Sequence, residues 1–386
     1  MTRQKLIIIS AVFIDVLGFG IVIPILPYYV TEFGVSPTVV TLLFATFSLF
    51  AFLSAPLLGA LSDRIGRRPI LILSVISTAV GWFIFASAQS VLMLFVGRII
   101  DGMAAGNFTI AQSAMADLAK DEKERTANIG IVSAVFGMGF LLGPVFGGLL
   151  SNISHSAPFW MAGGLAAINA VFAFFFLPES HHRRDAQRPL SFNPLRPLKR
   201  AIGDPILRPF YLTWLMFALA FVSGQSVFAL FAKEVFGFSA FHTGMAFTLI
   251  GVVVVLNQVL LLKRFWLPRF GELLLIRVML WILAIGLACL GSEVIAMFFI
   301  GLVGLGTGQA VLRVVLTSQV SGLGGEHRKG ETIGVLSALM SAAMVVAPPL
   351  SGILFEVGHS LPFFVGVGFL MLGLIVARGL PAEVQA

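Results

Sequence analysis

Apolar residues fill this chain in twelve long runs broken by short polar stretches, and each run is near the roughly 20 residues with which an α-helix crosses a bilayer. The runs predict helices over Leu6–Val30, Thr38–Leu61, Ile70–Ala88, Val91–Ala114, Ala127–Leu150 and Pro158–Leu177. Six more follow over Phe210–Ala232, His242–Leu262, Leu273–Leu290, Val294–Leu316, Ile333–Phe355 and Pro362–Leu380. The fold class is therefore an all-α membrane protein with 12 transmembrane helices. A basic start before an apolar run is also the look of a signal peptide. This run is about 25 residues long and eleven spans follow it, so it is expected to remain as the first span.

The pattern stops between Pro178 and Pro209, a stretch rich in Pro and Arg that breaks helices. This divides the chain into a six-helix bundle over 1–178, a cytoplasmic linker over 179–208 and a second six-helix bundle over 209–386. The tandem His181 and His182 in the linker have no nearby Cys or third ligand, so the expected partner is anionic lipid rather than a metal.

Composition sharpens this. Of 386 residues 58% are hydrophobic and only 11% charged, against about a quarter charged in a soluble domain, and no soluble core absorbs that much apolar surface. A net charge of +7 suggests nucleic acid only until the charges are placed. Twenty-one Lys and Arg fall in one set of alternate loops, including Arg64, Arg67, Arg68 and seven in the linker, while the opposite loops carry Lys233 alone. By the positive-inside rule both termini and the linker face the cytoplasm of a multi-pass protein in the plasma (inner) membrane. The single cysteine, Cys289, lies inside the ninth run, where it has no disulfide partner.

The two halves are copies. Shifted by 204 positions, Ile129–Phe159 falls on Ile333–Phe363 with 11 of 31 residues identical, where chance gives about two. The identities include Gly130 with Gly334, Pro144 with Pro348, Gly148 with Gly352 and His155 with His359. An offset of six helices means that both halves share one orientation, which places a substrate site between them.

Four segments carry chemistry. After the second run stands Gly59-Ala-Leu-Ser-Asp63-Arg64-Ile-Gly66-Arg67-Arg68-Pro69. Here Gly59 is expected to let helices approach, and Asp63 to pair with the arginines as a latch on one face, which Asp117 joins. The fifth run holds Gly139, Gly143, Pro144, Gly147 and Gly148, with glycines at four-residue spacing along one face. The first run carries Asp15 and the fourth Arg98 and Asp101, intramembrane charges that cost about 2.5 to 3.5 kcal/mol each and so point to function. Arg98 and Asp101 are three residues apart, on a helical face expected to include Ala105 and Gln112, and can form an ion pair or share a proton site. In the tenth run Gln309 and Arg313 share a face, and Gln309 is the shifted mate of Ala105. Gln112, Gln225, Asn257, Gln258, Gln309 and Arg313 are therefore the candidate substrate-binding residues, the amides serving equally as interhelical glue.

The loop from Gly59 to Arg68 resembles the signature loop of the major facilitator superfamily, and the fifth-run glycines with Pro144 resemble that superfamily's antiporter motif. The segments around Asp15 to Pro27, Gly97 to Asn107, Met115 to Asp117, Gly224 to Gln225 and Leu316 to Val320 resemble its tetracycline and multidrug exporters, so the likeness covers nearly the whole chain. It implies a secondary transporter that exports small, largely apolar, drug-like compounds against protons by alternating access, acting as a monomer with no cofactor beyond the proton gradient. Two departures bear on substrate. The second-half counterpart loop, Arg269-Phe-Gly271-Glu272, lacks the aspartate, and the third and ninth runs lack the acidic residues usual in tetracycline exporters. Thirty-seven phenylalanines suit flat apolar compounds. A proton symporter or facilitator for a nutrient, and a lipid-translocating or receptor-like protein, are the alternative readings. No G-x-x-x-x-G-K-[ST] loop or metal-ligand cluster is present, so neither ATP-driven pumping nor enzymatic catalysis is expected.

Overall fold

A computed structural model describes residues 3–119, 121–177, 179, 199, 203–323 and 329–380. The described residues hold helices and no strand. Most of the linker, His181 and His182 included, lies outside them. Eleven helices are long and apolar enough to cross a membrane: the first six runs give five, and the last six give six.

The fourth run is the exception. It forms two helices, Val91–Met103 and Asn107–Asp117, with Ala104, Ala105 and Gly106 between them out of helical register. A 13-residue helix rises about 20 Å, short of the roughly 30 Å hydrocarbon core. The ladder lapses into short contacts at the break, where Ala105 N–H bonds to Gly102 O at 3.2 Å and Gly106 N–H to Ala104 O at 2.7 Å. The glycines at 102 and 106 have the lowest helix propensity of any residue but proline, and a Cβ on Gly106 would stand 2.9 Å from Ile110 Cδ1, so that side chain would have to shift. Hydropathy alone cannot register such a break.

Prolines modify two other runs. The first is Arg3–Val22 followed by a turn at Ile23–Ile25 and a short helix, Leu26–Thr31, because Pro24 and Pro27 lack the N–H groups that would carry the ladder through. The fifth, Glu122–Ser151, absorbs Pro144 and starts at Asp121, whose carboxylate accepts the Glu124 N–H at 2.7 Å. The eighth run continues from Ala240–Leu256 into a wider π-helical stretch, Asn257–Trp266.

Two compact units emerge. One is drawn from Met1–Val35, Thr46–Pro194 and Ser239–Thr248, the other from Ser36–Ala45, Leu195–Phe238 and Leu249–Ala386. In the first unit Ile8, Val12, Val16, Ile70, Leu71, Met115 and Ala173 form one buried cluster. Tyr29, Trp82, Phe85 and Phe159 form an aromatic group with centroids 4.9 to 5.9 Å apart. In the second unit the ninth and tenth spans, Glu272–Leu290 and Ile295–Leu323, meet at Gly286 and Gly301, where a Cβ on Gly301 would lie 2.7 Å from the Gly286 carbonyl. Side chains such as Phe175 and Val259, 69% and 70% exposed, form the apolar exterior that lipid covers.

Candidate functional site

The signature loop closes on Arg67. Its Nη1 lies 2.6 Å from Asp63 Oδ1, four positions back across the Gly66 turn, and 2.6 Å from Ser62 Oγ, while its Nε reaches Asp117 Oδ2 at 3.1 Å. One guanidinium thus ties the ends of the second, third and fourth spans, all inside the first unit. Arg68 Nη2 donates to the Phe174 carbonyl at 2.5 Å, adding the sixth span. Arg64 is half-buried in the same loop.

Gly66 holds φ at +112°, a conformation open to glycine. It also leaves the space occupied by Glu179, whose carboxylate accepts the backbone N–H groups of Arg67 at 2.9 Å and Arg68 at 3.4 Å. The third span, Arg67–Ala86, is therefore capped by an acid from beyond the sixth. Sequence reasoning missed Glu179, since its partners lie more than 100 positions away. The reading of Gly59 is corrected: a Cβ there would meet nothing within 4 Å among the described residues, so this glycine mediates no close approach to any of them.

Lys5, counted among the loop cations, is 6% exposed and also holds helices together. Its Nζ lies 2.6 Å from Glu124 Oε1 and 2.9 Å from Asn128 Oδ1, and Asn128 Nδ2 donates to the Met115 carbonyl at 2.9 Å. Its partners are 119 and 123 positions away, beyond any local signal.

The fifth-span glycines form a seam on the first span. A Cβ on Gly139 would stand 3.0 Å from Leu17 N, one on Gly143 2.5 Å from Gly20 C, and one on Gly147 would strike the Ile21 carbonyl. Gly148 and Pro144 face the segment Ser239–Thr248 of the same unit, at Phe241 and Gly244. Four-residue spacing puts Gly139, Gly143 and Gly147 on the side that meets the first span, with Pro144 and Gly148 on an adjoining side, and small residues let the backbones touch.

Arg98 and Asp101 form a buried pair, Nη1 to Oδ2 at 3.2 Å, with side chains 3% and 6% exposed. The guanidinium is clamped between the rings of Phe47 at 4.4 Å and Trp82 at 4.7 Å, and Thr78 hydrogen-bonds the Asp101 carboxylate. Around the pair, backbones are nearly in contact. A Cβ on Gly81 would lie 2.8 Å from the Gly97 carbonyl, and one on Gly102 2.7 Å from that of Phe47. The break at Ala104–Gly106 puts Gln112 on a separate helix, so the helical spacing that grouped it with Arg98 and Asp101 does not hold across it.

Asp15 is half-buried and lines a cavity of about one water's size between the first, third and sixth spans.

In the second unit Gln225 is half-buried, Gln309 is 8% exposed, and Arg313 is exposed one turn beyond Gln309 on the same helix. Asn257 is glue: it donates to Val253 O at 2.9 Å and Thr307 Oγ1 at 3.2 Å and accepts from Trp266 Nε1 at 3.0 Å. Gln258 reaches the Ala310 carbonyl at 3.4 Å. At the loop that corresponds to the signature, Glu272 hydrogen-bonds Gln319, an ion–amide contact where the first unit has an ion pair. Arg277 donates to Ala377 O at 3.1 Å, satisfying the end of the last helix.

A family model described as Major Facilitator Superfamily matches residues 8–267. The tetracycline resistance protein, class C, of Escherichia coli is 30% identical over 356 residues, 89% of this chain and 87% of that protein. Multidrug resistance protein 1 of Bacillus subtilis (strain 168) is 29% identical over 386 residues, 98% of this chain and 97% of its own. The crystal structure of a point mutant of the nucleoside transporter NupG matches with a TM-score of 0.80 over 98% of this chain and 100% of that one at 13% identity, a likeness of fold.

Proposed function

The chain belongs to the Major Facilitator Superfamily, and from that premise we propose that it exports small, largely apolar compounds from the cytoplasm in exchange for protons. The observation that carries this reading is the pair of near-full-length relatives named for tetracycline and multidrug resistance, taken with the glycine seam between the first and fifth spans. Both favour export over a nutrient symporter, facilitator or lipid translocase. Apart from Glu272, at the start of the ninth, the third and ninth spans contain no acidic residue, which argues against tetracycline itself and for a broader apolar substrate.

In this reading a monomer in the plasma membrane, with both termini cytoplasmic and halves over 1–178 and 209–386, works by alternating access. The triad of Asp63, Arg67 and Asp117 latches the cytoplasmic face, and Gln225, Gln309 and Arg313 supply polar contacts to substrate. Asp15 carries the proton, since it faces a cavity. Arg98 and Asp101, each the other's counter-ion and enclosed by Phe47 and Trp82, brace the helices around it.

Purified protein in liposomes with a pH-sensitive dye inside tests the reading. Adding an apolar cationic dye as the transported probe should drive proton movement opposite to dye movement. Movement in the same direction would mean symport, and probe movement without protons would mean facilitation.

A further inference from the structure

Asn169, in the sixth span, is fully buried. Its Nδ2 donates to the Ala11 carbonyl at 2.8 Å, one helical turn before Asp15. Its Oδ1 is buried with no hydrogen-bond partner among the described residues. Asn169 lines the same water-sized cavity as Asp15, and the remaining lining comes from apolar side chains, among them Val12, Val16, Leu71 and Val75. A buried amide oxygen without a donor is costly, and in lipid no bulk water relieves it.

We propose that Asp15 and Asn169 together form a proton-binding site, in which the Asn169 amide oxygen accepts the hydrogen bond of the protonated Asp15 carboxyl, directly or through one water in the cavity. The inference rests on the reading above that Asp15 carries the proton. The step is a proton transfer: hydronium gives its proton to a carboxylate oxygen and leaves as water, and the new O–H turns to Asn169 Oδ1. On release the proton returns to water and Oδ1 loses its donor. The Nδ2 bond to Ala11 engages the amide's donor, which leaves its oxygen as the group available to the acid. A carboxylate that had to remain ionised would be better served by the opposite face of the amide.

Few other charges bear on the site. Beyond the charged first turn of the fifth span, Glu122 to Arg125, the one titratable residue up to Phe176 is His155, in the loop between the fifth and sixth spans. The third span is charged at Arg67 and Arg68, at its start, and Asp117 is bound to Arg67. Lys5 is held by Glu124, and Arg98 and Asp101 hold each other. Asp15 is the titratable side chain of the cavity lining.

The test is an infrared pH titration of the purified protein in lipid, with the proton as probe. Wild type should show a hydrogen-bonded carboxylic C=O band that Asp15→Asn removes. In Asn169→Leu the same band should shift toward the frequency of a free carboxyl, and its midpoint should fall by about one pH unit, a roughly tenfold loss of proton affinity. Asn169→Ala carries the same expectation should the leucine variant not fold. A wild-type Asp15 band already at the free-carboxyl frequency overturns the proposal without any Asn169 variant, and so does an unchanged midpoint in a folded one. Replacing potassium by sodium should leave the midpoint in place, and a sodium-dependent shift would mean a metal-cation site instead. If Asp15→Asn removes no band, the assignment of the proton to Asp15 fails first, an outcome distinct from failure of Asn169.

Discussion

Glu179 caps the helix that begins at Arg67, its Oε1 accepting the Arg67 backbone N–H at 2.9 Å. Helix starts leave N–H groups unpaired, and an acid there also meets the positive end of the helix dipole. Replacing Glu179 with Ala should cost about 1 kcal/mol of stability, and Glu179→Gln less, since the amide oxygen still accepts. Thermal unfolding of the purified protein checks this, and equal loss in both variants would make the charge, not the hydrogen bond, the source.

Asp63→Asn should leave protein in the membrane at wild-type levels yet remove most transport. Arg67 keeps Asp117 at 3.1 Å but loses its closest counter-charge, at 2.6 Å, so the loop stays folded while the latch weakens. Uptake of the dye probe into inside-out vesicles, normalised to protein in the membrane, decides it, and normal transport would remove the latch from the mechanism.

Breaking the Arg98–Asp101 pair should unfold the protein before it uncouples it. Either single change, Arg98→Ala or Asp101→Asn, should cost about 3 to 5 kcal/mol, because a buried charge loses its partner. The double variant Arg98→Met with Asp101→Leu should recover much of that stability and still accumulate probe against a gradient. A well-folded double variant that binds probe but cannot accumulate it would assign the pair to proton coupling.

Asp15→Asn should abolish accumulation against a gradient while leaving downhill exchange of the probe. Vesicle transport measured with and without a pH gradient separates the two, and undiminished gradient-driven accumulation would exclude Asp15 as the proton carrier.

Glycines of the two motifs should respond oppositely. Gly143→Val places a side chain against the backbone of Gly20, 2.5 Å from the new Cβ, and should abolish both folding yield and transport. Gly59→Ala adds a methyl to open space in a helix and should gain up to about 1 kcal/mol. Melting temperatures and membrane yields of the two variants check this, and destabilisation by Gly59→Ala would restore a packing role to that residue.

What the sequence determined by itself was everything that one-dimensional periodicity encodes. Apolar runs near 20 residues long decide where helices cross lipid, because no other backbone satisfies its hydrogen bonds there. Glycines at four-residue spacing share one helical face by geometry, while Asp63 and Arg67, four positions apart across the Gly66 turn, are near neighbours in the chain itself.

The tertiary structure decided what depends on neighbours distant in the chain. It selected the first span as the partner of the fifth-span glycines and left Gly59 facing open space, though both segments look alike as letters. It broke the fourth span at Ala104–Gly106, so helical spacing no longer relates Gln112 to Arg98. It brought Lys5 to Glu124, Glu179 to Arg67 and Asn169 to Asp15. A hydrogen bond acts over about 3 Å whatever the separation along the chain, so contacts more than 100 residues apart leave no periodic trace.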